Sequence, residues 1–334
     1  MSNHRNATIP AAVEIVDIGD PTAANTAVEF IDQDVVQLES TPLQGRQVIV
    51  RLEGVIVVYY STNLRVRSRP CLHDELIGYV TFGPGVAGTV DGVPVGPDSM
   101  LAVAPATEIG FVTNAGYESI TFLLPPAELD AHLRARGRAD EFRLPHGMEP
   151  LHVGAGLAGS LFAWGKRLVD TAERDPELFN ERQEQRVAAK VDLIEALLAT
   201  LAASSNLEPE RRERSRQAQS SIVRAAERYA LAHTADRLYV TDLCRAAGVS
   251  ERTVEYAFRA VMALTPVAYL TRLRLHRVRL ALRAAAPGST TVTAEALNWG
   301  FWHFGEFSRA YRDCFGELPS ETLRRKPEAT HAQK

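Results

Sequence analysis

Residues 241–259 read TDLCRAAGVSERTVEYAFR, and this stretch decides the fold of the C-terminal third of the chain. Thr241 is placed to cap a short helix, Asp242–Ala247; Gly248 follows, and Ser250 caps a second helix beginning Glu251-Arg252-Thr253. A hydroxyl at the N-cap accepts from free N–H groups of the first turn, and glycine takes the positive φ of a tight turn without a Cβ clash. Helical periodicity turns Leu243, Cys244, Ala247, Val249, Val254, Ala257 and Phe258 inward. Arg252, Thr253, Glu255, Tyr256 and Arg259 are left outside or at the margin. Two short helices, a tight turn and a polar second helix are the parts of a helix-turn-helix reader of the major groove.

The pattern then repeats. Thr265-Pro266 starts a longer helix, Pro266–Arg283, with proline in its first turn, where the missing N–H is harmless. After Pro287-Gly288 come Val292, Ala296 and Leu297 on one helix, the turn Trp299-Gly300-Phe301, and a helix from His303 to Cys314. Phe304, Phe307, Tyr311 and Phe315 supply much of its apolar face, with Trp299, Phe301, Phe307 and Phe315 expected in the core. Val254 follows Gly248 by six residues and Phe307 follows Gly300 by seven, so the second turn is expected to be one residue longer. The connecting helix spans about 27 Å at 1.5 Å per residue, suited to holding two reading helices near successive major grooves, about 34 Å apart.

Ser250-Glu251-Arg252-Thr253-Val254 with Phe258-Arg259, Leu264-Thr265-Pro266, Tyr269-Leu270 and Arg272-Leu273 resembles the first half of the AraC/XylS DNA-binding domain. Trp299-Gly300-Phe301, Phe307-Ser308-Arg309-Ala310-Tyr311-Arg312 and Phe315-Gly316-Glu317-Leu318-Pro319 resemble the second. The resemblance covers residues 220–326 and departs from the family at Ala263, where glycine is usual, and at His303, where aspartate is frequent. It implies a seven-helix domain that binds double-stranded DNA and regulates transcription near RNA polymerase, activation being the commoner outcome. Arg252, Glu255 and Tyr256 on the first reading helix, and His303, Glu306 and Arg309 on the second, fall where the family reads bases. Arginine can address guanine through two hydrogen bonds and glutamate can accept from cytosine N4. Arg259 and Arg312 fall where phosphate contacts set the register.

Upstream, residues 206–219, with Arg211-Arg212-Glu213-Arg214-Ser215-Arg216, read as a solvated linker, and 151–205 as a helical connector or dimerisation segment. Its stripe Val187, Val191, Ile194, Leu197, Leu198 and Leu201 is wide enough for two partners, its own barrel or a second copy in a homodimer. Residues 26–150 form the β-rich domain. The runs Val48–Leu52, Val55–Tyr60, Leu64–Arg69, Leu76–Phe82, Val86–Val90, Met100–Ala104, Ile109–Thr113 and Ser119–Leu124 alternate with glycine and proline turns, which predicts an antiparallel barrel or sandwich. Residues 1–25 read as a flexible arm. The expected class is therefore α+β in two domains: an N-terminal antiparallel β-barrel with helices, cupin-like as in AraC relatives, and a C-terminal all-α domain of two helix-turn-helix units.

Length and composition set the outer limits. The 334 residues, 46% hydrophobic and 23% charged, exclude a disordered or coiled-coil chain and favour two domains. No apolar run reaches the roughly 18 residues of a membrane helix, the first ten residues have no signal-like apolar core, and three cysteines without a CxxC predict a reducing, cytoplasmic setting. The net charge of −4 hides an asymmetry: Gln217 to Lys334 carries 17 Lys and Arg against 11 Asp and Glu, a basic end fit for a polyanion. His73 stands alone among the strands and no His-x-His occurs, so no metal or other cofactor is expected and the chain reads as no enzyme. A cupin-like enzyme with an appended helical domain, and an effector-independent DNA-binding protein, are the rival readings.

The β-rich domain of AraC-like proteins implies a small-molecule effector. Arg65, Arg67 and Arg69 alternate along one strand just after Tyr59-Tyr60, so their guanidiniums share a face. Three like charges in register repel unless solvated or countered by an anion, and guanidinium forks suit phosphate. Arg65-x-x-x-Arg69 resembles the first half of the PilZ signature, which makes cyclic di-GMP the sharpest candidate among anionic or polar effectors; the second half, Asp/Asn-x-Ser-x-x-Gly, is absent.

Overall fold

The computed structural model describes residues 11–20, 30–73, 75–138, 143–154, 156–206, 211–233 and 238–325. The β-rich part is two antiparallel sheets. The larger has the order β1 (Val13–Ile18), β3 (Gly45–Leu52), β4 (Val55–Thr62), β11 (Tyr117–Leu124), β6 (Ile77–Phe82), β9 (Ser99–Val103), β12 (Met148–Val153) and β13 (Ser204–Asn206). The smaller runs β2 (Ile31–Gln37), β5 (Val66–Leu72), β10 (Phe111–Thr113), β7 (Gly88–Val90) and β8 (Val93–Val95). The sheets are not closed into a barrel: neither strand order returns to its start, and the architecture is an open sandwich. The expected arm 1–25 is corrected where it is described, because Val13–Ile18 pairs with Ile18↔Gly45 through Val13↔Val50 as the edge strand of the larger sheet.

The larger sheet is buried on both faces, which explains the continuous apolar run of β4. Val57, Tyr59, Tyr79, Ile120 and Phe122 face one way and pack under helices α2 (Leu157–Arg174) and α4 (Gln183–Ala202), after α1 (Pro126–Arg134) and α3 (Glu177–Asn180). Val58, Val80, Leu101 and Leu123 face the other way, toward the smaller sheet. A strand buried on both sides needs apolar residues at every position rather than every second one. On α4 the expected stripe divides. Ile194, Leu197 and Leu198 are buried with Leu193, Leu201 is partly buried against the same core, and Val187 and Val191 remain exposed.

The expected linker 206–219 is also corrected. From Arg211 the chain is already α5 (Arg211–Ala232), a 22-residue helix. Its inner residues Val223, Ala226 and Ala230 pack on the C-terminal domain and on Val36, Leu38 and Val112 of the smaller sheet. Arg214, Ser215 and Arg216 near its start are exposed, which is why that stretch reads as solvated. Next come α6 (Val240–Ala247), α7 (Glu251–Met262), α8 (Pro266–Ala284), α9 (Val292–Asn298), α10 (Phe304–Phe315) and α11 (Pro319–Arg324). The C-terminal core has two parts, one around Phe258, Tyr269 and Leu273, the other around Phe307, Tyr311 and Phe315, with α8 contributing to both.

Candidate nucleic-acid interface and interdomain seam

Each helix-turn-helix unit is fixed by its caps. The first helix begins two residues earlier than its threonine suggests: Tyr239 is the N-cap, and its N–H donates to the Asp242 carboxylate at 3.0 Å, while Thr241 lies within the helix. Gly248 takes φ +67° at the turn, and Ser250 Oγ accepts from the Thr253 N–H at 3.3 Å. In the second unit Thr291 Oγ1 accepts from the Ala294 N–H at 3.1 Å, Gly300 takes φ +78°, and His303 is the N-cap of α10. The second turn spans 299–303 against 248–250 in the first, two residues longer rather than the expected one, because α10 starts only after His303. Thr265 Oγ1 caps α8 through the Ala268 N–H at 3.1 Å. Ala263, the departure from the family's glycine, stands at φ +53°, a left-handed conformation that a Cβ makes unfavourable.

Val254, Ala257 and Phe258 of α7, and Phe307, Tyr311 and Phe315 of α10, are buried. That orientation turns Arg252, Tyr256 and Arg259 on one helix, and His303, Glu306, Arg309 and Arg312 on the other, to solvent, with Glu255 half-buried. Glu255 accepts from Arg259 at 2.9 Å in an exposed i,i+4 pair, worth at most a few tenths of a kcal/mol and open to exchange for a phosphate. Among the described residues Arg309 and Arg312 pair with no carboxylate. The expected core aromatics pack as a ladder, Phe301 on Phe307 at 4.9 Å between centroids and Tyr311 on Phe315 at 4.7 Å, with Trp299 and Phe301 only partly buried. Sequence reasoning missed Trp302, 59% exposed, and Phe304, 42% exposed and assigned there to the apolar face; they flank His303.

Arg67 and Arg69 alternate along β5 and Arg65 immediately precedes the strand; Arg65 and Arg67 reach the C-terminal domain, while Arg69 stays with β2. Arg67 is fully buried: its Nε and Nη2 donate to the two Glu227 oxygens of α5 at 3.0 and 2.6 Å, and Tyr269 of α8 donates to the same carboxylate at 2.8 Å. Burial opposes its charge, and Glu227 outweighs that, raising the Arg67 pKa. Gly110 is required beside it, because a Cβ there would lie 2.6 Å from the guanidinium. Arg65 is half-buried and donates to the Val261 carbonyl at 3.2 Å, its pKa lowered by burial; Arg69 pairs with Asp34 at 2.8 Å. Nearby, the Gln37 side chain donates to the Cys314 carbonyl of α10 at 2.7 Å, and the Gln37 N–H donates to His276 Nε2 of α8 at 3.3 Å. Asp20 pairs with Arg279 and Arg283 of α8. Glu227 was legible in principle: it falls with Val223, Ala226 and Ala230 on an otherwise apolar helix face.

Tyr59 and Tyr60, adjacent in β4, point to opposite faces and cannot serve one site with the stripe. Tyr59 lies under Lys166 of α2, 5.2 Å from the ring centre. Tyr60 points between the sheets into a cavity of about 90 Å³ lined by Gln33, Gln47, Ser68, Phe111, Thr113, Tyr117 and neighbouring apolar residues, with no charged side chain. Burial raises the Tyr60 hydroxyl to about 12. Tyr60 OH, Gln47 Oε1 and Thr113 Oγ1 are buried there without a hydrogen-bond partner, and such atoms are costly unless something satisfies them. Among the described residues no group of three His, Cys, Asp or Glu is placed to hold a metal, and no helix is long and apolar enough to cross a membrane.

Comparison with known proteins bears on the C-terminal third. The family model of a helix-turn-helix domain matches residues 243–325. A probable thc operon regulatory protein of Rhodococcus erythropolis is 40% identical over 106 residues, 32% of each chain. An XylDLEGF operon transcriptional activator of Pseudomonas putida is 37% identical over 82 residues, 25% of this chain and 26% of that one. The matched segment thus spans about a third or less of these relatives. Among solved structures, a probable AraC family regulator from Rhodopseudomonas palustris is 39% identical, covering 31% of this chain and 94% of that one, TM-score 0.29. The AraC-like activator CuxR covers 85% and 98% at 14% identity, TM-score 0.40.

Proposed function

We infer, from a C-terminal domain that belongs to the AraC/XylS helix-turn-helix family, that the chain is a DNA-binding transcriptional regulator and no enzyme. The observation that carries this is the pair of reading helices, α7 and α10, each with an exposed outer face and an inner face packed with α8. Arg252, Glu255 and Tyr256 read bases in one major groove and His303, Glu306 and Arg309 in the next, while Arg259 and Arg312 hold phosphates. Binding is tested by fluorescence anisotropy of a promoter duplex against unrelated duplex at fixed salt. Sequence-specific binding predicts at least about 10³-fold preference, whereas phosphate contacts alone give indiscriminate, salt-sensitive affinity.

The regulator acts as an activator next to RNA polymerase in the cytoplasm, as a homodimer. The exposed Val187 and Val191 on α4 support a helix-mediated contact, and Val191→Asp should then convert dimer to monomer in sedimentation. Its effector sits between the sheets. The uncharged lining and the unpaired Tyr60, Gln47 and Thr113 atoms favour a small neutral molecule with hydrogen-bonding groups on an apolar frame. Control follows from strand alternation: Gln33 and Val35 of β2 and Ser68 and Pro70 of β5 face the cavity, while Val36 and Arg67 of the same strands face the C-terminal domain. A ligand shifts the docking equilibrium by its differential affinity for the two arrangements.

A second effector reading keeps cyclic di-GMP, held by Arg65 and Arg69 at the seam. It is favoured by Arg65, whose guanidinium donates to a backbone carbonyl rather than a carboxylate and whose Nε is unpartnered. Calorimetry decides between the two. Heat with cyclic di-GMP that is lost in Arg65→Ala/Arg69→Ala supports the seam; heat with neutral aromatic ligands that is lost in Gln47→Leu supports the cavity.

A further inference from the structure

We propose that Trp302 and Phe304 are specificity-determining residues of the second helix-turn-helix unit, reading thymine through its methyl group in the major groove. The inference rests on the DNA-binding reading above and adds the base that this end of the domain selects. Phe301, Phe307, Tyr311 and Phe315 of the unit pack on one another as its aromatic core. Trp302 and Phe304 instead sit at the very start of α10, on either side of the N-cap His303, exposed by 59% and 42%. In a helix-turn-helix the residues at the N-terminus of the reading helix are those that reach base edges.

The surroundings select the occupant. Exposed Arg309 and Arg312, one and two turns further along α10, have no carboxylate partner among the described residues, which suits a polyanion and not an apolar protein surface. Within a duplex the apolar feature of the major groove is the thymine C5-methyl, and contact with it is a known mode of direct readout. Two aromatic groups ahead of a guanidinium then describe an element in which thymine lies beside the guanine addressed by Arg309. The indole and phenyl groups gain from the thymine methyl what uracil cannot supply, since the two bases differ by that methyl alone.

The experiment uses the full chain and its preferred duplex, obtained by selection from random sequence. Each thymine of the second element is replaced singly by deoxyuridine, and affinity is read by anisotropy at constant salt for the native chain, Trp302→Ala and Phe304→Ala. The native chain should lose about three- to fivefold at one or two positions, the worth of about one buried methyl group. Each variant should bind thymine and uracil equally at one of those positions and keep its discrimination in the first element, which also shows it is folded. Variants that keep the full thymine preference, or a native chain indifferent to every substitution, overturn the proposal and assign the aromatic pair to another surface. A chain that selects no sequence at all overturns the DNA-binding reading, and this proposal with it.

Discussion

Replacing His276 with glutamine and following stability against pH probes the seam at a buried imidazole. His276 is 4% exposed, its Nε2 accepts the Gln37 N–H, and burial depresses its pKa from 6.5 to about 3 against the partial help of Asp20 and with Arg279, Arg272 and Arg277 opposing a proton. The folded value lies below the unfolded one. The neutral ring's contribution is therefore complete above pH 6.5 and is lost as pH falls toward 3. Between those values the unfolded state binds one more proton, a slope of about 1.4 kcal/mol per pH unit. At pH 4.5 the native chain has lost about 2–3 kcal/mol from this ring alone. His276→Gln keeps an acceptor for Gln37 and cannot titrate, so carboxylate effects common to both proteins cancel. Urea unfolding at pH 7.5, 6.5, 5.5 and 4.5 should show the variant gaining on the native chain by that slope. Parallel pH profiles would refute the reasoning.

Other perturbations test the remaining parts. Arg67→Ala leaves the Glu227 carboxylate buried beside Tyr269 alone and should cost about 3–5 kcal/mol in denaturant unfolding; Arg67→Met/Glu227→Leu should recover most of it, and a double variant no better than the single would deny the ion pair its role. Ala263→Gly relieves φ +53° and should add up to about 1 kcal/mol, read as a raised midpoint; a lowered midpoint would contradict the strain. Arg309→Ala should relax the base preference at one position by about 1–3 kcal/mol, whereas Arg312→Ala should weaken all sequences alike and reduce the salt slope by about one; identical behaviour of the two would remove the division between reading and register.

The C-terminal domain was legible because its signals are local. Ser250, Gly248, Thr265-Pro266 and Gly300 each act within a turn of themselves, and the helix limits they imply lie within a residue or so of those observed. The eight strands read from alternation are present, though the sheets they build do not close. What escaped was set at a distance. β2, IDQDVVQ, is half polar because Gln33 lines the cavity, Asp34 pairs with Arg69 and Gln37 bonds to the C-terminal domain, so it lacks the apolar signature of its neighbours. Glu227 lies 160 residues from Arg67, and no local rule distinguishes a stripe that waits for an anion from one that clasps a carboxylate of its own chain. Tyr59 and Tyr60 illustrate the converse: strand alternation alone assigns them to opposite faces.

Two helix-turn-helix units that share one scaffold helix should read one duplex together. Selection from a random double-stranded pool with the full chain, followed by sequencing of the retained DNA, tests it most directly. A bipartite motif is expected, its two elements centred about one helical turn, roughly 10 base pairs, apart, with the element lost in Arg309→Ala differing from the one lost in Arg252→Ala. A pool that retains no motif, or one element indifferent to both substitutions, would contradict it.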